Sequence, residues 1–147
     1  MDTANSAQRG LPDWHELSAA IRHLTGDNPG DHFVTRWVRE LAQLHRTRRI
    51  SPHRAIEIDR RRADVVTLIN QWVTIHLAPA TGADQVGTAA DALAAAYIDA
   101  EVLLLGHNGI GEQALHAAWS QVGARATQWA DLVATVVDGQ PSPPCRC

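Results

Sequence analysis

Arginine side chains are the most concentrated chemical groups in this sequence. Between positions 46 and 62, seven residues are arginine and only two are acidic. A guanidinium group binds phosphate or carboxylate through a planar fork of N–H donors, and a helix start adds free backbone N–H groups. Ser51 followed by Pro52 is a typical helix start, with the serine as cap. Four arginines flank this start: Arg46, Arg48, Arg49 and Arg54. One interpretation of the segment is therefore an anion pocket at the start of a helix.

Two polar residues interrupt an apolar stripe that follows the arginines. At helical spacing, Asp59 and Asn70 fall on a row that is otherwise apolar. Buried polar groups need partners, so either Asp59 pairs with an arginine and Asn70 bonds a neighbouring helix, or both line a cavity. If that cavity holds a small molecule, we expect Arg62 and Asp91 to contact it as well.

Acidic residues elsewhere in the chain offer the arginines another role. From 77 to 138 there are seven acids and one arginine, so the basic segment could be neutralised within one monomer. The whole chain carries a net charge of −3, and no aromatic residue lies between 46 and 62. Both observations argue against nucleic-acid binding.

Patterns for metal or covalent chemistry are weak. Glu112 and His116 share a helix face, but they supply two ligands where zinc needs three or four. The sequence has no Glu-x-x-His pair of the dimetal type, and its serines lack a nucleophile-elbow context. The glycine-rich stretch 106–111 follows a helical pattern, not a strand, and lacks the Gly-Lys ending of a phosphate loop. We therefore expect no metal and no cofactor.

Length and composition indicate an ordinary globular protein. The chain has 147 residues, of which 45% are hydrophobic and 20% charged, and no apolar run approaches the ~20 residues of a membrane span. Its two cysteines, Cys145 and Cys147, fall in the last three residues, so no disulfide scaffold is indicated. We expect a cytoplasmic protein with one domain over 12–139, flanked by a flexible N-terminus (1–11) and a flexible tail (140–147).

The elements that must position these residues are predicted to be helices. Alanine is abundant, and Gly and Pro residues cluster at a few places. Apolar stripes predict five helices, the first starting near Asp13, the second capped by Asp31, and the third running from Ser51 to Leu77. The fourth covers 84–105, and the fifth includes 115–136. Short connections then predict an all-α antiparallel bundle of about five helices.

Several short sequence elements are informative through their order and spacing along the chain. They are Leu44-His45-Arg46, Glu57-Ile58-Asp59-Arg60-Arg61-Arg62-Ala63, Ile69-Asn70-Gln71-Trp72-Val73, Gly87 with Asp91 and Leu93, His116-Ala117-Ala118-Trp119, and Asp131-Leu132-Val133. Their order and spacing resemble the bacterial domain-of-unknown-function family numbered 4254, in its shorter, arginine-rich form. The resemblance covers most of residues 32–139 and implies an all-helical protein without an established reaction.

Two functional hypotheses follow. The first is a non-enzymatic helical-bundle protein that acts through a protein partner or self-association, with tryptophan-bearing seams and opposed charged faces as contact surfaces. The tryptophans would otherwise be core residues. The second is an enzyme or binding protein for an anionic small molecule, such as a nucleotide or sugar phosphate, at the arginine-rich start of helix three. Its expected ligand-binding residues are Arg46, Arg49, Arg54, Asp59, Arg62, Asn70 and Asp91.

Overall fold

Helices account for the regular structure that the computed structural model describes, over residues 10–77, 82–106 and 111–138. In chain order they are α1 (Trp14–Ile21), α2 (Phe33–Ile50), α3 (Ala55–Leu77), α4 (Val86–Leu105) and α5 (Glu112–Asp138). Short 3-10 turns, Pro52–Arg54 and Ala83–Gln85, precede α3 and α4. The prediction of an all-α bundle of about five helices is confirmed. The predicted flexible tail, 140–147, and residues 1–9 lie outside the described residues.

The alanine-rich helix α4 lies at the centre of the bundle. It packs against α2, α3 and α5, and its buried residues cover more than half of its circumference. Small side chains let neighbouring helices approach closely, so one helix can contact three others. Within the described ranges, no helix is both long enough and apolar enough to cross a membrane.

The four long helices alternate in direction. Arg46 and Arg49, near the end of α2, contact Glu101 and Asp99 near the end of α4, so α2 and α4 run in parallel. The short helix α1 packs along α2, from the first turn of α2 to Arg46. Its residue Glu16 accepts a hydrogen bond from Thr35 in the first turn of α2, at 2.7 Å.

All five tryptophans pack within the chain. Trp129 in α5 is fully buried, and its indole N–H donates to the backbone carbonyl of Pro12 at 2.9 Å. Trp119 meets the ring of Tyr97 in α4 edge-on, with 5.4 Å between ring centroids. The other three, Trp14, Trp37 and Trp72, are partly buried against the same core. The tryptophan-bearing stripes of the sequence therefore serve packing inside one chain.

The second helix begins one residue later than its predicted cap. Asp31 does not cap it, because the carboxylate accepts from the backbone N–H groups of Gly26 and Asn28, at 2.9 and 3.0 Å. His32 is the cap instead, and its Nδ1 accepts from the N–H of Val34 at 3.0 Å. Asp31 thus closes the loop before α2.

The third helix also begins differently. Ser51 makes no side-chain capping hydrogen bond, and a 3-10 turn separates it from α3. Ile56, in the first turn of α3, is 73% exposed, whereas Ile58, Val65 and Ile69 are buried. Ile56 lies about 200° around the helix from Ile58 and therefore faces solvent.

Gly87 fixes how closely α3 and α4 approach. A Cβ atom at this position would lie 2.4 Å from the backbone oxygen of Val66 and 2.9 Å from Oδ1 of Asn70. The same Oδ1 accepts a hydrogen bond from the Gly87 N–H at 2.7 Å. No side chain fits between the two backbones.

Replacing Gly87 with alanine should lower the free energy of unfolding by about 2–4 kcal/mol, because overpacking and a lost hydrogen bond act together. Gly123→Ala is the matched control. A Cβ atom added to Gly123, inside α5, would have no heavy atom within 4 Å, so alanine should stabilise that helix by about 1 kcal/mol. Urea unfolding followed by circular dichroism measures both. Equal effects of the two substitutions would contradict the close approach at Gly87.

Stability should also depend on pH through His32. Burial lowers the pKa of this imidazole below its usual 6.5, despite its hydrogen bond to the Gly10 carbonyl. The unfolded chain therefore takes up the proton more readily, and the free energy of unfolding should fall as pH drops below 6.5. The slope from this one group is at most about 1.4 kcal/mol per pH unit.

His32→Asn is the matched variant, since asparagine also caps helices but does not titrate. Urea unfolding at several pH values should show that the stability difference between the two proteins narrows as the pH is lowered. A difference that stays constant would show that His32 keeps the same proton affinity on folding.

Candidate functional site

An open cleft of about 280 Å³ lies where the end of α2, the second turn of α3 and the middle of α4 meet. Six residues line it: His45, Arg48, Arg49, Arg62, Ile98 and Asp99. Three of them are arginines from the basic segment of the sequence. The basic segment thus contributes half of the residues that line the cleft.

Helix geometry explains which α2 side chains reach the cleft. His45, Arg48 and Arg49 are spaced three and four residues apart, so they share one face of α2. Arg46 follows His45 at about 100° around the helix and points elsewhere. Its guanidinium donates to Glu101 at 2.8 and 2.9 Å and to the backbone carbonyl of Ile21 at 2.7 Å. Arg46 thus joins α2 to α4 and to the end of α1.

Asp91, in α4, is the partly buried carboxylate behind the cleft. Its Oδ1 is 2.8 Å from Nε2 of His45, and the Arg62 guanidinium donates from Nε and Nη2 at 3.2 and 2.6 Å. Because an ionised carboxylate only accepts, Nε2 of His45 carries the proton in this contact. Asp91 therefore binds α2 and α3 to α4 at one point.

A second carboxylate, Asp59, extends this network toward the surface. It accepts from Nη1 of Arg62 at 2.8 Å and from Arg48 at 2.9 and 3.0 Å. The order of contacts is then His45–Asp91–Arg62–Asp59–Arg48. Arg48 and Arg62 are thus both held by carboxylates beside the cleft.

The acids of this network stay ionised at neutral pH. Burial raises the pKa of Asp91, but hydrogen bonds from His45 and Arg62 outweigh it and leave the pKa below its usual value. The hydrogen bond from Arg48, helped by Arg62, lowers the pKa of Asp59 to about 2. The bond to Asp91 in turn raises the pKa of Arg62. The carboxylates and guanidinium groups of the network are therefore charged over the physiological range.

The outermost pair of the cleft is different in character. Arg49 contacts Asp99, and their side chains are 47% and 57% exposed. Exposed pairs of this kind contribute little, typically about 0–1 kcal/mol. The Arg49–Asp99 pair can therefore open at low cost, whereas Asp91 keeps its two partners.

The residues expected to bind a ligand are not all together. Arg49 and Arg62 line the cleft, and Asp59 and Asp91 hold its arginines in place. Arg46 lies outside the cleft because its side chain points away from it and pairs with Glu101.

Arg54 and Asn70 also lie apart from the cleft. Arg54 pairs with Glu57 at the exposed start of α3, at 3.0 Å. Asn70 is eleven residues beyond Asp59, about 16 Å along the same helix, where it bonds Gly87. A shared helix face therefore did not mean a shared site.

Sequence reasoning missed three lining residues. Ile98 and Asp99 were not considered, and His45 was named only as part of the family resemblance. The spacing of His45 with Arg48 and Arg49 is a signal that could have found it. In the part of the chain that the structure describes, no three His, Cys, Asp or Glu side chains are placed to hold a metal ion. His107 lies outside that part.

Residues from several elements of the family resemblance contact one another here. His45, Arg62 and Asp91 belong to three of those elements and form the inner network. Asn70 and Gly87 belong to two of them and share a hydrogen bond. The chain matches no protein-family model, no curated protein and no solved structure. Function is therefore inferred from the geometry of the cleft.

Proposed function

We propose that the protein binds a small anionic compound, with a phosphate group or a comparable oxyanion in the cleft. The observation that supports this most is the convergence of three guanidinium groups and one imidazole on a single open cleft. Ligand pockets usually measure about 300–1,000 Å³, so this cleft is at the small end. A sugar phosphate or the phosphate end of a nucleotide suits that size.

The ion pairs around the cleft favour binding because they orient the arginines. A guanidinium has five N–H donors in a fixed plane, and Arg48 uses two of them on Asp59. Arg62 is held by two carboxylates, so little of its side-chain freedom remains to be lost on binding. Preorganised donors bind an oxyanion with a smaller entropy cost than free arginines would.

Arg49 supplies the exchangeable contact. Its partner Asp99 is exposed and weakly held, so an oxyanion of the ligand replaces it as the acceptor. An enzyme acting on such a compound would use the same cleft.

We also propose that the chain is a short member of the domain-of-unknown-function family numbered 4254. The contacts among His45, Arg62 and Asp91 support this, because residues far apart in the sequence that carry the resemblance lie in one network. Arg48, Arg49 and Ile50 stand where the fuller family pattern has Trp-His followed by acidic residues. These arginines are the point at which this chain departs from the family pattern.

A thermal-shift experiment tests anion binding. Inorganic phosphate, a sugar phosphate and a nucleoside monophosphate are each added to the purified protein, with sodium chloride at equal ionic strength as reference. A ligand at a hundred times its dissociation constant adds about 2.7 kcal/mol, which raises Tm by several degrees. Arg49→Gln should remove most of this rise.

Arg60→Gln is the control, because Arg60 lies on the exposed side of α3 and does not line the cleft. It should leave the rise in Tm unchanged. Equal rises with phosphate and chloride, or a loss of the rise in both variants, would contradict a site in the cleft. Arg62 is unsuitable for this comparison since its removal also loosens the three-helix contact.

A second candidate function is self-association through one end of the bundle. Ile50 is 80% exposed at the end of α2, and Ile56 and Leu105 are also exposed at the same end. Exposed apolar side chains gathered in one place are typical of contact surfaces. With the tryptophans packed inside the chain, this end is the surface through which a second copy would bind.

Light scattering at several concentrations tests self-association. The unmodified chain should show a dimer mass, and the double variant Ile50→Glu/Leu105→Glu should show a monomer mass, because a buried charge opposes the contact. Ile75→Glu is the control, since Ile75 is 74% exposed but lies toward the opposite end, near the end of α3. A monomer mass for the unmodified chain at all concentrations would rule out this function.

A further inference from the structure

The charges around the cleft cancel when His45 is neutral. Arg48, Arg49 and Arg62 carry three positive charges, and their three partners are carboxylates: Asp59, Asp91 and Asp99. Orientation of the arginines favours an incoming anion, but the charges at rest do not attract it. A further positive charge would have to come from a group in the cleft.

His45 is the lining residue that can supply this charge. Its Nε2 is occupied by Asp91, and its Nδ1 has no hydrogen-bond partner among the described residues. In that part of the chain, every buried side-chain nitrogen or oxygen atom has a hydrogen-bond partner. Nδ1 is therefore reached by water, and a proton can bind there without breaking the contact to Asp91.

We propose that His45 is the proton-accepting group of the cleft, and that a small oxyanion binds with uptake of one proton at its Nδ1. The anion then accepts hydrogen bonds from the forks of Arg48 and Arg49 and from the new Nδ1–H. The proton comes from solvent, and no covalent bond changes. This inference rests on the proposed anion-binding function and specifies its chemistry.

The groups around His45 fit such a step. From α4, Asp91 stabilises a protonated imidazole through the existing 2.8 Å contact, and Asp99 adds negative charge at the rim. From α3, Arg62 opposes protonation, but it is itself paired with Asp91 and Asp59. From α2, Arg48 and Arg49 oppose it as well.

A bound oxyanion makes protonation of His45 more favourable. It offsets the charges of the two α2 arginines and accepts the Nδ1–H of the imidazole. Anion binding and proton binding therefore favour each other, and thermodynamic linkage makes the effect reciprocal.

Calorimetric titration with sulfate tests the inference. Sulfate keeps its double negative charge between about pH 5 and 8, the range in which histidine titrates, so any pH dependence belongs to the protein. The affinity for sulfate should rise as the pH falls, by up to about tenfold per pH unit at the steepest point. His45→Gln should remove this dependence, because the glutamine amide nitrogen can replace Nε2 in the bond to Asp91 but cannot take up a proton.

The outcomes separate the two proposals. Sulfate binding that strengthens toward acidic pH in the unmodified protein and is independent of pH in His45→Gln supports the proton-coupled site. Binding to the unmodified protein that is independent of pH overturns the role of His45 and leaves the anion site intact. No binding at any pH overturns both.

A second measurement needs no variant and covers the case in which His45→Gln does not fold. Nitrogen NMR of the unmodified protein follows the protonation of the His45 ring with and without sulfate. Saturating sulfate should move its titration to higher pH, by one unit for each tenfold of coupled affinity. An unchanged titration curve would overturn the proposal.

Discussion

One partly buried carboxylate, Asp91, determines how the three long helices around the cleft meet. It lies on the central helix α4, its side chain is 16% exposed, and it stays ionised because His45 and Arg62 donate to it from either side. A charge in this position is tolerated only when it is paired, so α2 and α3 must present those donors at matching heights. The cleft follows from the same requirement, since the arginine head groups must remain near water.

The sequence was sufficient to predict the helices but not all of their ends. Apolar stripes place α4 and α5 well, because burial imposes a spacing that can be counted. Capping depends on side-chain direction, which spacing does not determine, so Asp31 bonds within its loop and His32 caps α2. Ile56 is exposed because it lies on a different face of α3 from the buried row of Ile58, Val65 and Ile69.

The sequence was sufficient to predict only those site residues whose charges are opposite and whose helix faces touch. Asp59, Arg62 and Asp91 are joined by hydrogen bonds, since unlike charges on neighbouring helices pair where the helices touch. The arginines that are close in sequence separate in space, because each step along a helix turns the side chain by about 100°. Asp99 and Ile98 come from a helix whose register against α2 is a tertiary property. That register could not be obtained from one helix at a time.

The contact between Trp129 and Pro12 has a consequence for synthesis of the chain. The two residues are 117 positions apart, and the indole reaches the carbonyl only when α5 lies against α4. Proteins are made from the N-terminus, so the segment before α1 waits for this partner until α5 has left the ribosome. Until then the side of α4 that α5 covers remains open to water. A ribosome that pauses before the last helix therefore holds a chain with an exposed apolar surface, which is the form that chaperones bind.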